Sequence, residues 1–506
     1  MYTNVLDYLE QTAPRVPDKI AYANENDSLT FGEVYEHSRS IGTFLSENGF
    51  YREPIVVFME KHPNAIETFY GVVYAGCWYV PIDEEMPKYR IELIFKTLNP
   101  RAVICDEKTA AFLDTFKYEG RVLLHDSLIS YAADDKILSE IRSHSIDTDP
   151  LYIVFTSGST GVPKGVVACH RSVIDYIEHL SEILKVSEDT VFGNQTPLYF
   201  DACLKELYPV LKFGATAYLI PKQLFMFPIK LVEFLNEKKI NTICWVVSAL
   251  TMVSAVKTFD KVKPEYLRTI AFGSEVFPIK QFNIWKETLP DADFINLYGP
   301  TEATGMSCYY RVDRDFALDE MIPVGRPFPN TDIFLLDDDN KLVEQGQPGE
   351  ICIRGTGVTL GYYKNPEKTS EVFVQNPLQD NYPEIIYKTG DIGRINERGE
   401  LVFISRKDYQ IKHMGHRIEL GEIETVVNMR DGVNSSCCIF DDIKKKIILY
   451  YVGDADRAEM VKYLKEKLPR YMIPNVTEKL EAMPYTPNGK IDRNLLKNKY
   501  TERRKK

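Results

Sequence analysis

The chain is predicted to be an α/β protein. A large N-terminal region of layered α/β sheets with a β subregion is followed by a small α+β C-terminal domain. Three observations predict this. Over the first four-fifths of the sequence, amphipathic helical stretches alternate with short Val/Ile/Phe-rich runs, the pattern of sheets covered by helices. From about Asp332 the runs follow one another as closely spaced strands. Past Asp408 the order restarts as helix, strand, strand, helix over a compact stretch of about 100 residues.

In chain order, periodicity predicts helices over Asn4–Ala13 and Thr30–Asn48, then strands over Pro54–Phe58, Ala102–Cys105 and Tyr152–Thr156. A helix over Ile229–Lys238 and a strand over Thr269–Phe272 continue the alternation. Between them, Ile243 to Val256 is apolar but too short for a membrane span and carries Ser248, Thr251 and Ser254, so it reads as a buried element. The β subregion comprises Ile333–Leu336, Gly349–Arg354 and Leu401–Ile404. The tail holds helices over Glu419–Met429 and Arg457–Leu468 around strands Ser436–Phe440 and Lys446–Val452. The polar segment Ser405-Arg406-Lys407-Asp408 suits a hinge, giving domains 1–407 and 408–506.

Composition narrows the function classes. With 506 residues, 44% hydrophobic, the chain has ample apolar surface for a core. Its 61 Lys plus Arg face 73 Asp plus Glu, a net charge of −12, which speaks against nucleic-acid binding. The N-terminus lacks the basic-then-apolar pattern of a signal peptide. Nine thinly spread cysteines without a CxxC pair fit a reduced cytoplasm, and no histidine spacing suggests a metal site.

The strongest local signal is Thr156-Ser157-Gly158-Ser159-Thr160-Gly161-Val162-Pro163-Lys164-Gly165, directly after the strand ending at Phe155. Glycines permit close backbone approach, hydroxyls supply donors, and Lys164 supplies charge for phosphate oxygens. An ordinary Ser/Gly loop is the plain alternative. A Walker loop is excluded, because Lys164 is followed by Gly165 rather than Ser or Thr.

With its companion motifs, this loop resembles the ANL adenylating superfamily, and within it the amino-acid adenylation domains of nonribosomal peptide synthetases and the D-alanine–carrier protein ligases. The companions run in the family's order: Tyr74-Ala75-Gly76, Phe200-Asp201-Ala202, Asn296-Leu297-Tyr298-Gly299-Pro300-Thr301-Glu302, Tyr387-Lys388-Thr389-Gly390-Asp391, Arg406-Lys407-Asp408, Gly415-His416-Arg417-Ile418-Glu419-Leu420-Gly421-Glu422 and Asn488-Gly489-Lys490. The resemblance implies a large domain followed by a small mobile one. It also implies ATP- and Mg2+-dependent conversion of a carboxylate to an acyl adenylate with release of pyrophosphate. Transfer to the phosphopantetheine thiol of a carrier protein then follows.

The same resemblance assigns residues. Lys490 is the catalytic cation, Glu302 the Mg2+-associated carboxylate, and Thr301 a contact for the α-phosphate. Thr156, Ser157, Gly158, Ser159, Thr160 and Lys164 cradle phosphates; Gly273, Asn296 and Gly299 are further nucleotide positions. Tyr298 stacks on adenine, Asp391 accepts from the ribose diol, and Arg406 is a second ribose contact. Asp408 is the hinge about which the small domain turns between half-reactions. Ser405 stands where the family commonly has Gly, and His413-Met414 and His416 depart from the usual forms near the thiolation surface.

Asp201 matches the aspartate that pairs with the α-amino group of amino-acid substrates; capping the helix Ala202–Leu211 is its structural alternative. The side-chain pocket implied by the motifs is Ala202, Lys205, Trp245, Ile270, Phe272, Leu297, Gly305 and Met306. Lys205 follows Asp201 by four residues, so on a helix the two share a face. It reads a second carboxylate on a Glu- or Asp-like substrate, pairs with Asp201 or Glu206, or snorkels to water. Trp245, Phe272 and Met306 fill space, which also suits a small substrate such as alanine.

The substrate is thus expected to be an amino acid and the partner a carrier protein, in trans or on an adjoining segment. No carrier serine follows Arg493, and the basic end from Thr501 onward reads as a solvated frayed tail. No nucleic acid and no membrane span are expected. An acyl- or aryl-CoA ligase of the same superfamily is the alternative enzyme. A catalytically silent amino-acid or nucleotide-binding module is the alternative of another class.

Overall fold

The computed structural model describes every residue except Met1, Lys117, Ser159, Thr160, residues 487–490 and Lys506. The chain forms two compact units. One holds Met1–Glu84, Pro100–Val154 and Gly165–Lys407; the other holds Glu85–Asn99, Phe155–Lys164 and Asp408–Lys506.

The first unit is built on parallel sheets, as the alternation of helices and buried strands demands. In one sheet, Arg121–Leu124, Ala102–Cys105, Pro54–Phe58, Trp78–Ile82 and Pro150–Thr156 lie in that spatial order, all pairs parallel. A nine-stranded sheet has the parallel centre Asp293–Tyr298, Thr269–Gly273, Thr242–Val246, Val191–Asn194 and Thr216–Leu219. Cys308–Arg311 and Ser28–Thr30 add antiparallel strands toward its two edges. The helices Leu204–Phe213, Pro228–Glu237, Val247–Ala255 and Ile279–Thr288 make the connections between the parallel strands. All of these parallel strands therefore direct their carboxyl ends alike within their sheet, the arrangement that places ligand crevices in open α/β sheets.

Sequence expectations hold at the element level with small shifts. The second helix is Phe31–Glu47, started by a capping box in which the Thr30 side chain accepts from Glu33 N and Glu33 reaches back. The first helix is Leu6–Thr12, and Pro228–Glu237 replaces Ile229–Lys238. The apolar run from Ile243 resolves into two elements: the strand Thr242–Val246 passes directly into the helix Val247–Ala255.

The β subregion is a five-stranded antiparallel sheet of Thr331–Leu336, Gly349–Gly355, Phe373–Gln375, Ile385–Ile395 and Leu401–Arg406. Its 11-residue strand Ile385–Ile395 was not among the expected strands.

The second unit contains the antiparallel pair Val433–Asp441 and Lys446–Gly453, extended in parallel by Val476–Lys479. Leu420–Asn428 and Arg457–Lys467 supply helices that bury Ile423, Val427, Met460 and Leu464 against it. A hairpin of Gln410–His413 and His416–Glu419 turns at Met414 and Gly415, whose φ values of 51° and 79° match a type I′ turn. The basic end is corrected: Arg493–Lys505 is helical, not a frayed tail. Leu496 is buried beside Cys437, Ile439 and Tyr450, and Arg493 pairs with Glu424 at 2.7 Å, which together anchor this helix. No helix among the described residues is long and apolar enough to cross a membrane. All nine cysteines are free and buried.

Candidate functional site

In the first unit, the strand Val191–Asn194 ends ahead of a 3-10 turn, Asp201–Cys203, which feeds the helix Leu204–Phe213. Asp201 therefore lies inside the turn, and Phe200 precedes it as the cap without a side-chain bond, so helix capping is not its role. Its carboxylate is 9% exposed and lies near the Thr301 side chain. Burial pushes the Asp201 carboxyl up, while Lys205 and Thr301 pull it down.

Lys205 is only 5% exposed, which excludes snorkelling. Its charge is felt at Asp201, Cys203, Glu206 and Cys244, yet its ammonium makes no hydrogen bond or ion pair with any described residue. An ammonium on a largely buried side chain, making no bond within the described protein, is placed to meet an anion. The adjacent Glu206 is fully buried and bonded through Oε2 to the Asn194 amide. Lys61, from the loop after Pro54–Phe58, donates to the carbonyls of Asn194 and Gln195, 3.1 Å each. Neither Glu206 nor Lys61 was among the expected site residues.

The expected apolar pocket residues divide between two packed clusters. Trp245, Ile270 and Phe272 join Phe277 and Phe282, with the Trp245 Nε1 donating to Gly193 O at 2.7 Å. Leu297 and Met306 pack with Tyr176 and Leu204 in the main core. At Gly305 an added Cβ would stand 3.6 Å from the Tyr176 ring, and Ala202 is half-buried in the 3-10 turn beside Asp201.

Thr301 and Glu302 lie in a short turn that follows the strand Asp293–Tyr298. Gly299 has no space for a side chain, since a Cβ there would meet Gly305 O at 2.3 Å. Glu302 is fully buried, and the Tyr362 hydroxyl donates to its Oε1 at 2.7 Å. Tyr362 was also missed by the sequence reading. Among the described residues no group of three or more His, Cys, Asp or Glu side chains gathers for a metal ion. A single carboxylate of this kind suits Mg2+, which takes one or two carboxylates and completes its octahedron with phosphate and water oxygens.

Asp391 and Arg406 face each other across neighbouring strands of the β subregion. Arg406 Nη1 donates to Asp391 Oδ1 at 2.8 Å and to Thr389 O at 2.7 Å. The Tyr298 hydroxyl donates to Asp391 Oδ2 at 2.6 Å. The three expected nucleotide residues Tyr298, Asp391 and Arg406 are thus one cluster, with both Asp391 oxygens engaged. Asn296 is turned elsewhere: its amide donates to Pro323 O at 2.8 Å. Gly273 closes the strand Thr269–Gly273, where a Cβ would meet Leu297 O at 2.3 Å.

In the second unit, Thr156 and Ser157 are buried, and Ser157 Oγ donates to Arg417 O at 2.9 Å. Gly158 N donates to Glu422 Oε2 at 3.2 Å, and Arg90 pairs with the other oxygen of the same carboxylate. A side chain at Gly158 would strike Val162 O, so the loop requires glycine there. Lys164 opens the strand Lys164–Cys169, and Asp408 accepts from Gln410 N at 3.1 Å through its Oδ1. His416 stacks on Tyr471 at 3.7 Å. Lys490, Ser159 and Thr160 lie outside the described residues.

Comparison with known proteins agrees with this fold. A family model described as AMP-binding enzyme matches residues 9–363. Tyrocidine synthase 1 of Brevibacillus parabrevis is 31% identical over 493 residues, covering 96% of this chain and 44% of that protein. Surfactin synthase subunit 1 of Bacillus subtilis (strain 168) is 30% identical over 498 residues, 97% of this chain and 14% of that one. The chain thus spans less than half the length of these curated relatives.

Among solved structures, an artificially fused adenylation–PCP di-domain NRPS from Klebsiella oxytoca superposes with a TM-score of 0.81 at 21% identity, covering 95% of this chain and 94% of that one. An o-succinylbenzoate CoA synthetase from Bacillus subtilis reaches 0.84 at 19% identity, with 97% and 98% covered. At these identities the two likenesses speak for the fold. The matched family model, covering well over half of the chain, establishes that the chain belongs to the AMP-binding enzyme family, the ANL adenylating superfamily.

Proposed function

We propose that this chain activates an amino acid with an acidic side chain as its aminoacyl adenylate, releasing pyrophosphate, and passes it to the phosphopantetheine thiol of a carrier protein. The observation that carries the reading is the pair Asp201 and Lys205. One is a buried carboxylate suited to an α-ammonium, and the other is a largely buried lysine whose ammonium makes no bond with any described residue. An amino acid with a second carboxylate satisfies both, leaving its own α-carboxylate as the nucleophile. Plain acyl and aryl acids would leave Asp201 without its cation, a costly arrangement.

In this reading Asp391, held by Arg406 and Tyr298, takes the ribose hydroxyls of ATP. Tyr298 then serves through its hydroxyl as well as through its ring. Thr301 and the loop Thr156–Lys164 contact phosphate oxygens, Asn296, Gly273 and Gly299 shape the nucleotide site, and Lys490 supplies the principal cation. Glu302, oriented by Tyr362, holds Mg2+, whose charge offsets that of the phosphates. Asp408, at the first residue of the 408–506 segment of the second unit, is the hinge between domains 1–407 and 408–506. The carrier is a partner in trans or an adjoining segment, as the adenylation–PCP fusion among the structural neighbours suggests. Free, buried cysteines support a reducing, cytoplasmic setting.

The test is Lys205→Ala assayed by amino-acid-dependent exchange of pyrophosphate into ATP. The acidic-substrate kcat/KM falls at least about tenfold more than that of a neutral amino acid, the loss of one buried charge contact. Equal losses for both would sink the acidic assignment. A parallel arm offering CoA in place of a holo carrier distinguishes a CoA ligase, which would release acyl-CoA.

A further inference from the structure

Glu206 lies beside the substrate residues without belonging to them. It is fully buried on the helix Leu204–Phe213, and its Oε1 has no hydrogen-bond partner among the described residues. From its own helix and turn it is faced by Lys205 and Cys203; from the loop after Pro54–Phe58 by Lys61, itself near Glu84. The strand Val191–Asn194 contributes the Asn194 amide, Thr242–Val246 contributes Cys244, and the helix His170–Leu184 contributes Tyr176. Lys205 acts on both carboxylates, Asp201 and Glu206, and Lys61 acts on Glu206; Glu302 and Glu84 add carboxylates acting on Asp201 and Lys61.

We infer that Glu206 is a positioning residue for side-chain selection: ionised, it offsets the charge of Lys205, and protonated, it leaves that charge to the substrate. This rests on the acidic-substrate reading of Lys205. Two features make both forms of Glu206 accessible. Ionised Glu206 accepts from the Asn194 amide nitrogen, and when the amide turns over by about 180° protonated Glu206 donates to its oxygen, Oδ1, which has no partner among the described residues. Lys61 is tied to the backbone carbonyls of Asn194 and Gln195, so its ammonium stays in place whichever form Glu206 takes. Burial pushes the Glu206 carboxyl up to about 7, against the pull of Asn194, Lys205 and Lys61, and burial brings Lys61 down to about 8.

The sign follows directly. Below about pH 7 Glu206 carries its proton and an anionic side chain is favoured; above it the second carboxylate competes for Lys205. The experiment measures kcat/KM for pyrophosphate exchange with glutamate and aspartate against glutamine and asparagine, their neutral isosteres, from about pH 6 to about pH 8.5, spanning the proton loss. Taking the ratio cancels effects common to both substrates. In the unaltered enzyme the acidic-to-neutral ratio falls about tenfold over this range, the factor carried by about 1.4 kcal/mol of competing charge. In Glu206→Gln, which carries no proton to lose, the ratio stays near its low-pH value throughout. A flat ratio in the unaltered enzyme, or a slope that persists in Glu206→Gln, overturns the inference. The unaltered enzyme's profile decides the matter even if the variant does not fold. Exchange with no acidic amino acid overturns the substrate reading and this inference together; exchange with a flat ratio overturns this inference alone.

Discussion

Glu302 shows how a residue's setting matters as much as its identity. It is fully buried, and one of its oxygens is held by the Tyr362 hydroxyl, sixty residues away in sequence. Tyr362→Phe keeps the ring packed between Val166 and Phe373 but removes a donor from a buried carboxylate. A hydrogen bond to a charged group contributes about 1.5–3 kcal/mol, so the variant loses stability of that order, read from the urea unfolding midpoint. A loss below about 0.5 kcal/mol would mean that Tyr362 does not hold Glu302. Asp201, Asp391 and Arg406 stand out in the sequence because each sits in a run of recognisable neighbours. Tyr362 and Lys61 do not, because each bonds a partner from a different segment, and Glu206 shows only as a neighbour of Lys205, its bond to Asn194 being hidden. No local spacing announces such a partner.

At the scale of elements, the first helix depends on a remote histidine. Val5 N, just ahead of Leu6–Thr12, donates to His170 Nδ1 at 3.3 Å, and His170 is 4% exposed. Burial lowers the His170 imidazole to about 4, with Arg142 acting in the same direction. Because the folded value lies below the unfolded one near 6.5, the stabilisation is complete above about pH 6.5 and is lost as the pH falls toward 4. Across that window the protein loses about 3 kcal/mol, at about 1.4 kcal/mol for each pH unit separating the folded and unfolded values. His170→Gln, which cannot take up the proton, flattens this slope in a pH series of unfolding midpoints; an unchanged slope would contradict the assignment.

Strands such as Pro54–Phe58 and Ala102–Cys105 were legible to the residue, because buried parallel strands are continuous Val/Ile runs. The strand Ile385–Ile395 was obscured by Lys388-Thr389-Gly390-Asp391 in its middle, a polar run whose Asp391 and Thr389 take hydrogen bonds from Arg406. The final helix was obscured by its charge, Arg493 to Lys505 having too few apolar residues for a visible stripe. Leu496 and the Arg493–Glu424 pair hold it in place.

For the whole molecule, family membership and α/β architecture were legible because many short motifs recur in one order over nearly the full length. Net charge was a poor guide: a chain of −12 buries Lys205 and half-buries Lys61 beside the acids Asp201 and Glu206 of one helix and turn. In the proposed reading the positive charge that meets the substrate is placed inside. The most direct measurement of the central claim is pyrophosphate exchange by the purified chain over all the standard amino acids with ATP and Mg2+. The account predicts that glutamate or aspartate drives exchange at least about tenfold faster than any neutral amino acid. Fastest exchange with a neutral or basic amino acid, or none with any, would contradict it.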